Sequence, residues 1–219
     1  MSDAEHAEQQ RIWGQIAEGW TNWRSKPIKE AEELAAEWKP GRILDIGCGN
    51  GRNLLPFARK NFDSSGTDFS AKMIALAKGL FTKAGLEAKF EVAGATELPY
   101  PSETFDYCLN IAILHHVKGQ TGRSKALSEI HRVLKSNGKA LIMVWNKESP
   151  KHSQLALAFE SAKSKDVYIA WKRKGQVYQR YYYLFDYAEL KQFIEKSGFK
   201  ILDAGDPFDE NIKFIIEKV

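Results

Sequence analysis

Apolar positions along the chain follow two different spacings, and each spacing predicts a different element. Short apolar runs predict buried strands at residues 43–46, 62–67, 89–92, 105–116 and 139–144. Apolar residues at every third or fourth position predict helices at 52–60, 70–84, 121–134 and 186–197. Two further strands, at 199–204 and 211–217, are expected to close the sheet as an antiparallel pair. The alternation predicts an α/β fold, a Rossmann-like, mostly parallel sheet of seven strands with helices on both faces.

Two segments stand outside this alternation. Helices predicted at 4–20 and 28–38 precede the first strand, so residues 1–40 are expected to form a helical lid over a bound cofactor, with Arg24 and Lys26 facing an anionic substrate. A packing arm whose cations are solvated is the alternative. Residues 147–185 contain a predicted helix at 153–162 and then a mixture of basic and aromatic residues, which we interpret as an insertion. We expect residues 1–219 to form a single domain, since a chain of this length fills one core.

A glycine-rich turn follows the first predicted strand and reads Asp45-Ile46-Gly47-Cys48-Gly49-Asn50-Gly51. Glycine has no Cβ, so backbone N–H groups can approach a ligand closely at such a turn. Asp68 ends the second strand 23 residues after Asp45, the spacing at which a carboxylate accepts hydrogen bonds from ribose hydroxyls. The spacing differs from the dinucleotide pattern G-x-G-x-x-G, and Asp45 would repel a pyrophosphate. A nucleoside cofactor without a pyrophosphate is favoured, and a site for NAD is the alternative.

The strand predicted at 105–116 ends in two adjacent histidines, His115 and His116. Ligands of open α/β sheets bind at the carboxyl ends of the strands, so one histidine is expected to face the cleft. Neighbouring residues of a strand point to opposite faces, so the pair would chelate a metal poorly and no metal site is predicted. A structural role for both histidines is the alternative.

Positive charge is concentrated in the inserted segment. Residues 147–180 contain eight basic and three acidic residues, an excess larger than the net charge of +4 of the whole chain. Basic and aromatic residues interleaved in this way predict phosphate contacts and stacking with unpaired bases. The residues expected to bind RNA are Lys172, Arg173, Lys174, Arg180 and Tyr181. A solvated loop, or an insertion packed on the core by its aromatic residues, remains the alternative.

The apolar runs and the cysteines of the sequence indicate the compartment in which the protein is found. The sequence contains no apolar run long enough to span a membrane and no apolar core of a signal peptide at its start. The two cysteines, Cys48 and Cys108, fall in the glycine-rich turn and in a buried strand, where neither a disulfide nor a zinc site is expected. A reducing, cytoplasmic compartment is therefore predicted.

Several motifs in one order carry a resemblance to a known family. The D-x-G-x-G-x-G turn resembles that of class I S-adenosylmethionine-dependent methyltransferases. The more specific stretches are Arg24-Ser25-Lys26-Pro27, Asn110-Ile111-Ala112-Ile113-Leu114-His115-His116, Arg123 with Ala126-Leu127, and Arg180-Tyr181-Tyr182. Together they resemble the tRNA wobble-uridine carboxymethyl methyltransferases, namely the yeast-type enzyme and the methyltransferase domain of AlkB homologue 8.

The resemblance implies O-methylation of the carboxylate of 5-carboxymethyluridine in tRNA, with S-adenosylmethionine as the cofactor. A carboxylate is already ionised at neutral pH, so cations that orient it matter more than a general base. The residues implied for that role are Arg24, Lys26, His116 and Arg123. The residues implied for the cofactor are Asp45, Gly47, Cys48, Gly49, Gly51, Asp68, Phe69, Ala95, Thr96 and Asn110. Gly94 stands where the wider class often has an aspartate bonded to adenine, so backbone groups, Thr96 or Glu97 are expected to make that contact.

The implied partners are tRNA and a small zinc-binding activator subunit, which would pair with the edge strand at 89–92. No membrane partner is expected. Two other functions stay open: a small-molecule methyltransferase of the quinone-precursor type, and a non-catalytic S-adenosylmethionine-binding module that regulates a partner. The basic and aromatic insertion counts against the first, because a lipophilic substrate favours an apolar insertion. The intact glycine-rich turn counts against the second.

Overall fold

The computed structural model describes residues 3–173 and 175–219, so Lys174, one of the predicted RNA contacts, lies outside the described residues. The helices are α1 (Asp3–Trp23), α2 (Lys29–Glu37), α3 (Leu55–Ala58), α4 (Ala71–Ala84), α5 (Gln120–Val133), α6 (Ser153–Ala162) and α7 (Tyr187–Glu195). The strands are β1 (Arg42–Ile46), β2 (Asp63–Asp68), β3 (Lys89–Val92), β4 (Phe105–Ile111), β5 (Leu134–Trp145), β6 (Asp166–Arg173), β7 (Gln176–Tyr183), β8 (Phe199–Ala204) and β9 (Asn211–Lys218).

Seven of these strands form one sheet in the order β3-β2-β1-β4-β5-β9-β8. Strands β3 to β5 pair in parallel, β9 is antiparallel to both β5 and β8, and β3 and β8 are the edges. The strand order reverses between β1 and β4, and ligands of open parallel sheets bind at such a reversal. The predicted Rossmann-like sheet is confirmed.

The two faces of the sheet carry separate hydrophobic cores. One core packs α5 and α7 on β4, β5 and β9, and the other packs α2, α3 and α4 on β1, β3, β4 and β5. Because the central strands are covered on both faces, they read as nearly continuous apolar runs in the sequence. This is why the strands were easy to locate from the sequence.

The sequence prediction for residues 105–116 is wrong about its end. Strand β4 stops at Ile111, and Leu114–His116 form a 3-10 turn. Ala112 lies at a positive φ of 59°, a left-handed conformation that turns the chain out of the sheet. The two histidines therefore do not alternate across a strand, and their rings lie in edge contact with centroids 4.5 Å apart.

The inserted segment contains a β-hairpin that the sequence analysis did not predict. Strands β6 and β7 pair from Asp166↔Tyr183 to Arg173↔Gln176 and form a separate two-stranded sheet. One face packs on α6 through Val167, Ile169 and Tyr182. The other elements differ less: residues 52–60 form a short 3-10 turn followed by α3 rather than one helix.

Helix α1 bridges the hairpin and helix α4. Gln9 donates from Nε2 to the Gln179 carbonyl at 3.1 Å, and its Oε1 accepts from the Tyr181 N–H at 3.1 Å. On the other side, Gln10 donates to the Phe69 carbonyl, and Glu18 pairs with Lys72 at 2.8 Å. The N-terminal helix is thus fixed across the carboxyl edge of the sheet.

Two glycines offer a matched test of this packing. A Cβ at Gly66 in β2 would lie 2.9 Å from both Cys48 Sγ and Phe90 Cε1, so Gly66→Ala is expected to destabilise the fold by about 1–3 kcal/mol. A Cβ at Gly79 in α4 would meet no atom within 4 Å. Gly79→Ala should therefore stabilise by about 0.5–1 kcal/mol, as for any helical glycine. Denaturant unfolding of both variants measures the difference, and equal stabilities would contradict the packing described for β2.

Candidate active site

A cavity of about 670 Å³ lies beneath α1 at the carboxyl edge of the parallel strands. Its walls come from the segments that follow β1, β2, β3, β4 and β5, together with α1 and the start of β9. The cavity has two halves of different character. One is lined by the glycine-rich turn and acidic or small residues, and the other by aromatic rings and a cation.

The glycine-rich turn shapes the first half through two positive φ angles. Gly47 has φ +72°, and a Cβ there would lie 2.1 Å from Ile113 Cδ1, so only glycine fits beneath that side chain. Gly49 has φ +54°, and a Cβ there would meet nothing within 4 Å. The backbone at Gly49 therefore borders open space, which is the room that a ligand needs to approach the turn.

Asp68 ties this turn to the next strand and helix. Its carboxylate accepts from the Gly49 N–H at 3.0 Å and from the Ser70 N–H at 2.8 Å. Each oxygen keeps a further lone pair, so the carboxylate can also accept from two vicinal hydroxyls of a ribose. Burial raises the pKa of Asp68 to about 6, against the lowering effect of these two backbone hydrogen bonds. The geometry fits the ribose role predicted for this residue.

Asp45 lies buried behind the turn and does not line the cavity. Burial raises its pKa to about 7, and the nearby Arg52 partly offsets that effect. Its Oδ2 atom has no hydrogen-bond partner among the described residues. Arg52 itself lines the cavity, and the sequence analysis missed it. A guanidinium at this position suits a carboxylate such as that of an amino acid moiety.

Seven of the ten predicted cofactor residues line the cavity: Gly47, Cys48, Gly49, Asp68, Phe69, Ala95 and Thr96. Asp45, Gly51 and Asn110 do not. Gly51 has φ +78° and packs against Ala77, so its role is to close the turn. Asn110 is fully buried in β4, and neither of its side-chain polar atoms finds a partner within the described chain. The cofactor contact of Asn110 stays a prediction.

Aromatic rings line the second half of the cavity, where Trp13, Trp20, Trp145 and His152 contribute. Trp145 stacks on His152 with ring centroids 4.7 Å apart, and Trp13 meets Trp20 edge to face at 5.3 Å. Sequence reasoning did not select these residues. Trp145 could have been found, because it ends β5 at the edge where ligands bind. A planar group such as a base fits between rings of this kind.

Arg24 is the predicted cation that the structure places at the cavity. The Asn50 side chain donates to its carbonyl at 3.0 Å, which joins the end of the lid to the glycine-rich turn. Its guanidinium carbon lies 4.8 Å from the ring centroids of both Trp20 and Trp23. Burial lowers the pKa of Arg24, but an arginine starts so high that it remains a cation at neutral pH.

Lys26 does not share that position. Its side chain is exposed and does not line the cavity, and its carbonyl accepts from Arg52 Nη1 at 2.6 Å. The prediction that Lys26 faces the substrate is therefore wrong. Pro27 follows and directs the chain away into α2.

His116 lines the cavity as a neutral ring rather than as a cation. Its Nδ1 lies 2.8 Å from the Tyr181 carbonyl, which fixes the proton on Nδ1 because a carbonyl can only accept. Burial lowers the pKa of His116 to about 3, and the nearby positive charge of Arg180 lowers it further. The expectation of a positive charge at His116 is wrong, although the ring lies where it was predicted.

Arg123 is a structural residue in this arrangement. It is 6% exposed, does not line the cavity, and its guanidinium lies 3.5 Å from the centroid of the Tyr183 ring. Nη1 donates to the Val117 carbonyl at 3.2 Å. These contacts join α5 to β7 and leave the guanidinium away from the cleft. The predicted catalytic role of Arg123 is therefore wrong here.

The hairpin separates the residues predicted to bind RNA into two sets. Lys172 is exposed on β6, and Arg173 is half-buried with its guanidinium against Gly19 of α1. Arg180 and Tyr181 are 3% and 1% exposed, so neither is available at the surface. The prediction of surface contacts by these two residues is wrong, because both lie in the part of β7 that α1 covers.

Comparisons with known proteins agree with this site. A family model described as a methyltransferase domain matches residues 44–142. A tRNA (carboxymethyluridine(34)-5-O)-methyltransferase of Schizosaccharomyces pombe is 30% identical over 216 residues, which cover 89% of this chain and 90% of that protein. The chain belongs to the tRNA (carboxymethyluridine(34)-5-O)-methyltransferase family. It is an S-adenosylmethionine-dependent methyltransferase, as the motifs predicted.

Two further comparisons show how much of each similar protein this chain covers. A tRNA (carboxymethyluridine(34)-5-O)-methyltransferase of Xenopus tropicalis is 30% identical over 76% of this chain, and the chain spans only 24% of that protein. A solved S-adenosylmethionine-dependent methyltransferase of Methanosarcina mazei has a TM-score of 0.73 at 22% identity, over 85% of this chain and 97% of that one. The second match supports the fold alone.

Two kinds of site are not found among the described residues. No helix within 3–173 and 175–219 is both long and apolar enough to cross a membrane. The same residues contain no group of three or more His, Cys, Asp and Glu side chains that could hold a metal ion.

The raised pKa of Asp68 predicts how the affinity for the cofactor depends on pH. The ionised form of Asp68 accepts hydroxyl hydrogen bonds and its protonated form loses that capacity, so affinity for S-adenosylmethionine should fall as pH drops through about 6. Below that pH the loss approaches roughly tenfold per unit. Calorimetry between pH 5 and 8 measures it, and Asp68→Asn should bind more weakly and lose the step near pH 6. An unchanged pH dependence in that variant would contradict the role of Asp68.

Proposed function

We propose that this protein methylates the carboxylate of 5-carboxymethyluridine at the wobble position of tRNA, using S-adenosylmethionine. The observation that carries the proposal is a single cavity with two chemically different halves. Gly49 and Asp68 border one half, and Arg24 with several aromatic rings borders the other. A cavity of about 670 Å³ has the size of a site for small organic ligands. The names of the relatives support the same substrate.

The residues of the first half would hold the cofactor, which supplies a methyl group on a positively charged sulfur when bound. Asp68 would accept from the ribose hydroxyls, and the backbone at Gly49 would lie against the ligand. Phe69, Thr96 and the space beside Gly94 would receive the adenine, because a Cβ at Gly94 would meet nothing within 4 Å. Arg52 would pair with the amino-acid carboxylate of the cofactor.

The second half would orient the acceptor. Arg24 would bind one oxygen of the acceptor carboxylate and leave the other free to react. Trp145 and Trp13 would contact the uracil ring, and α1 would exclude water from the reacting oxygen. No residue needs to remove a proton, because the carboxylate is ionised at neutral pH. The neutral His116 is consistent with this chemistry, since a general base is not required.

The outer rim near this half would bind the rest of the RNA. Trp23 ends α1 with 66% of its surface exposed, and its ring lies 5.7 Å from Trp171 of the hairpin. Lys172 is exposed next to Trp171 in β6, and the guanidinium of Arg173 lies against Gly19 of α1. Neither forms an ion pair within the described part of the chain. Exposed aromatic rings with unpaired cations match the chemistry of single-stranded nucleic acid.

Other aspects of the function extend the same proposal. Residues 1–40 as a lid and 147–185 as an insertion would act with the sheet as one catalytic domain.

A small zinc-binding activator would pair with β3, which is an edge strand with Val92 53% exposed. Two free, buried cysteines and a tRNA substrate fit a cytoplasmic location.

The direct test uses an anticodon stem-loop that carries 5-carboxymethyluridine at the wobble position. Incubation with the protein and S-adenosylmethionine, followed by nucleoside mass spectrometry, should show the methyl ester. A parallel reaction with a small-molecule extract and labelled cofactor tests the quinone-precursor alternative. Transfer to the extract and none to the stem-loop, with the activator supplied to both reactions, would overturn the proposal.

Arg24 and Lys26 form a matched pair of cations two residues apart. Arg24→Gln is expected to reduce methyl transfer at least tenfold, which corresponds to about 1.4 kcal/mol of transition-state stabilisation. Lys26→Gln should have little effect, because that side chain is exposed outside the cavity. Initial rates at saturating cofactor, with cofactor affinity measured separately, distinguish the two. Equal losses in both variants would argue against a specific role of Arg24.

Lys172 provides the corresponding test at the rim. Lys172→Ala should weaken tRNA binding and reduce the slope of log K against log salt by about one or somewhat less, the change expected for one lost phosphate contact. Lys60→Ala is the control, because Lys60 is exposed just before β2 at the edge of the sheet opposite the cavity. Fluorescence anisotropy at several salt concentrations measures both. The parental slope in Lys172→Ala would mean that Lys172 is only solvated.

A further inference from the structure

Two arginines, the partly buried Arg24 and the buried Arg180, lie at the junction of α1 and the hairpin. Arg24 lines the cavity and lies over the rings of Trp20 and Trp23, and Arg180 lies over those of Trp13 and Trp171 in the same aromatic cluster. Burial lowers the pKa of Arg24, and the positive charge of Arg180 lowers it further. Among the described residues neither guanidinium forms an ion pair. Two like charges in a buried wall are costly unless an anion compensates them.

The hydrogen bonds of the pair are also incomplete. Three buried donor atoms find no acceptor within the described chain. They are Nε of Arg24, Nε of Arg180 and Nε1 of Trp171. Arg180 donates from Nη1 to the Tyr182 hydroxyl at 2.7 Å, which holds the guanidinium in place. Its carbon lies 5.0 Å from the Trp171 ring centroid and 6.0 Å from that of Trp13. The wall is thus rich in donors and poor in acceptors.

Acidic side chains offset the charge of the pair only in part. Glu210 lines the cavity and partly offsets the lowering of the Arg24 pKa by burial, but among the described residues it pairs with Lys151 at 2.9 Å and forms no ion pair with either arginine. Burial lowers the pKa of His115 and of His116, and the charge of Arg180 lowers both further, so neither ring adds a positive charge. An anionic ligand is therefore the natural counter-charge for the pair.

We infer that Arg180 is a specificity-determining residue that acts with Arg24 to select an ionised carboxylate over a neutral acceptor. This inference rests on the proposed function. Arg24 contacts the ligand, and Arg180 adds a second positive charge behind it, fixed by Tyr182. A carboxylate is favoured over a backbone phosphate because the pair lies inside the enclosure of Trp13, Trp20 and Trp171. An extruded base brings its substituent to such a depth, whereas the phosphates stay near Lys172.

A neutral analogue of the substrate would bind weakly to this site, because the charges of Arg24 and Arg180 would then stay uncompensated. A carbamoylmethyl group has nearly the same shape as a carboxymethyl group, so contacts with the rings differ little between the two. Only the acid, however, neutralises the guanidiniums. Sites that lose a required polar partner in this way discriminate more strongly than sites that sense only size.

The test compares two anticodon stem-loops that differ only in this group, one with the acid and one with the amide, in the presence of S-adenosylhomocysteine. The unmodified protein should bind the acid at least 30-fold more tightly. Arg180→Gln should reduce that preference below about threefold by weakening the acid and leaving the amide unchanged. Arg180→Lys should recover part of it. Lys172→Gln, on the same hairpin, should weaken both ligands equally.

Three results would overturn the inference. An unmodified protein that binds acid and amide alike would exclude a charge-selective site, and an Arg180→Gln variant that keeps the preference would exclude Arg180. Equal weakening of both ligands by Arg180→Gln, with unchanged cofactor affinity, would assign Arg180 to a phosphate or to packing. If Arg180→Gln does not fold, Tyr182→Phe replaces it and should lower the preference several-fold. Methyl transfer to the acid stem-loop is measured separately, so the proposed function can hold while this inference fails.

Discussion

One carboxylate fixes the relative positions of the parts that build this site. Asp68 ends β2 and accepts from the backbone of Gly49 and of Ser70, so it joins the glycine-rich turn to the start of α4. Helix α4 in turn meets α1 through the ion pair of Lys72 with Glu18, and Phe69 accepts from Gln10. The position of α1 over the cavity therefore depends on the same short segment that carries Asp68. One rigid connection thus positions both the glycine-rich turn and α1.

Charged side chains are distributed unevenly around the cavity. The buried acids Asp45 and Asp68 lie by the glycine-rich turn, together with Arg52, and the arginines Arg24 and Arg180 lie on the aromatic side, together with Glu210. This division complements a cofactor with a positive sulfur and an acceptor with a negative oxygen. Each half alone leaves its charge poorly compensated, and burial amplifies that cost. The cavity is consequently suited to holding both ligands together better than either ligand separately.

The sequence predicted the sheet and the residues around the glycine-rich turn well, and the placement of residues on the aromatic side poorly, for physical reasons. Buried central strands and positive-φ glycines are local constraints, so runs such as Leu44–Gly51 carry their own signal. The hairpin carries none of this kind, because composition reports charge but not which face of β6 or β7 meets α1. Arg180 and Tyr181 were therefore placed at the surface, although α1 covers them. Arg123 and His116 were misjudged because their roles depend on partners far away in the chain.

The contacts that close the acceptor half have a consequence for the order of folding. Asp68 reaches Gly49 across 19 residues, whereas Gln9 reaches Gln179 and Tyr181 across 170 and 172 residues. Contacts between distant residues form slowly, because the long intervening chain must first lose its freedom. During synthesis from the N-terminus, α1 lacks its hairpin partner until residues 166–183 have been made. The apolar side of α1, with Trp13 and Ile16, is therefore buried late, and the glycine-rich side of the cavity forms before the aromatic side.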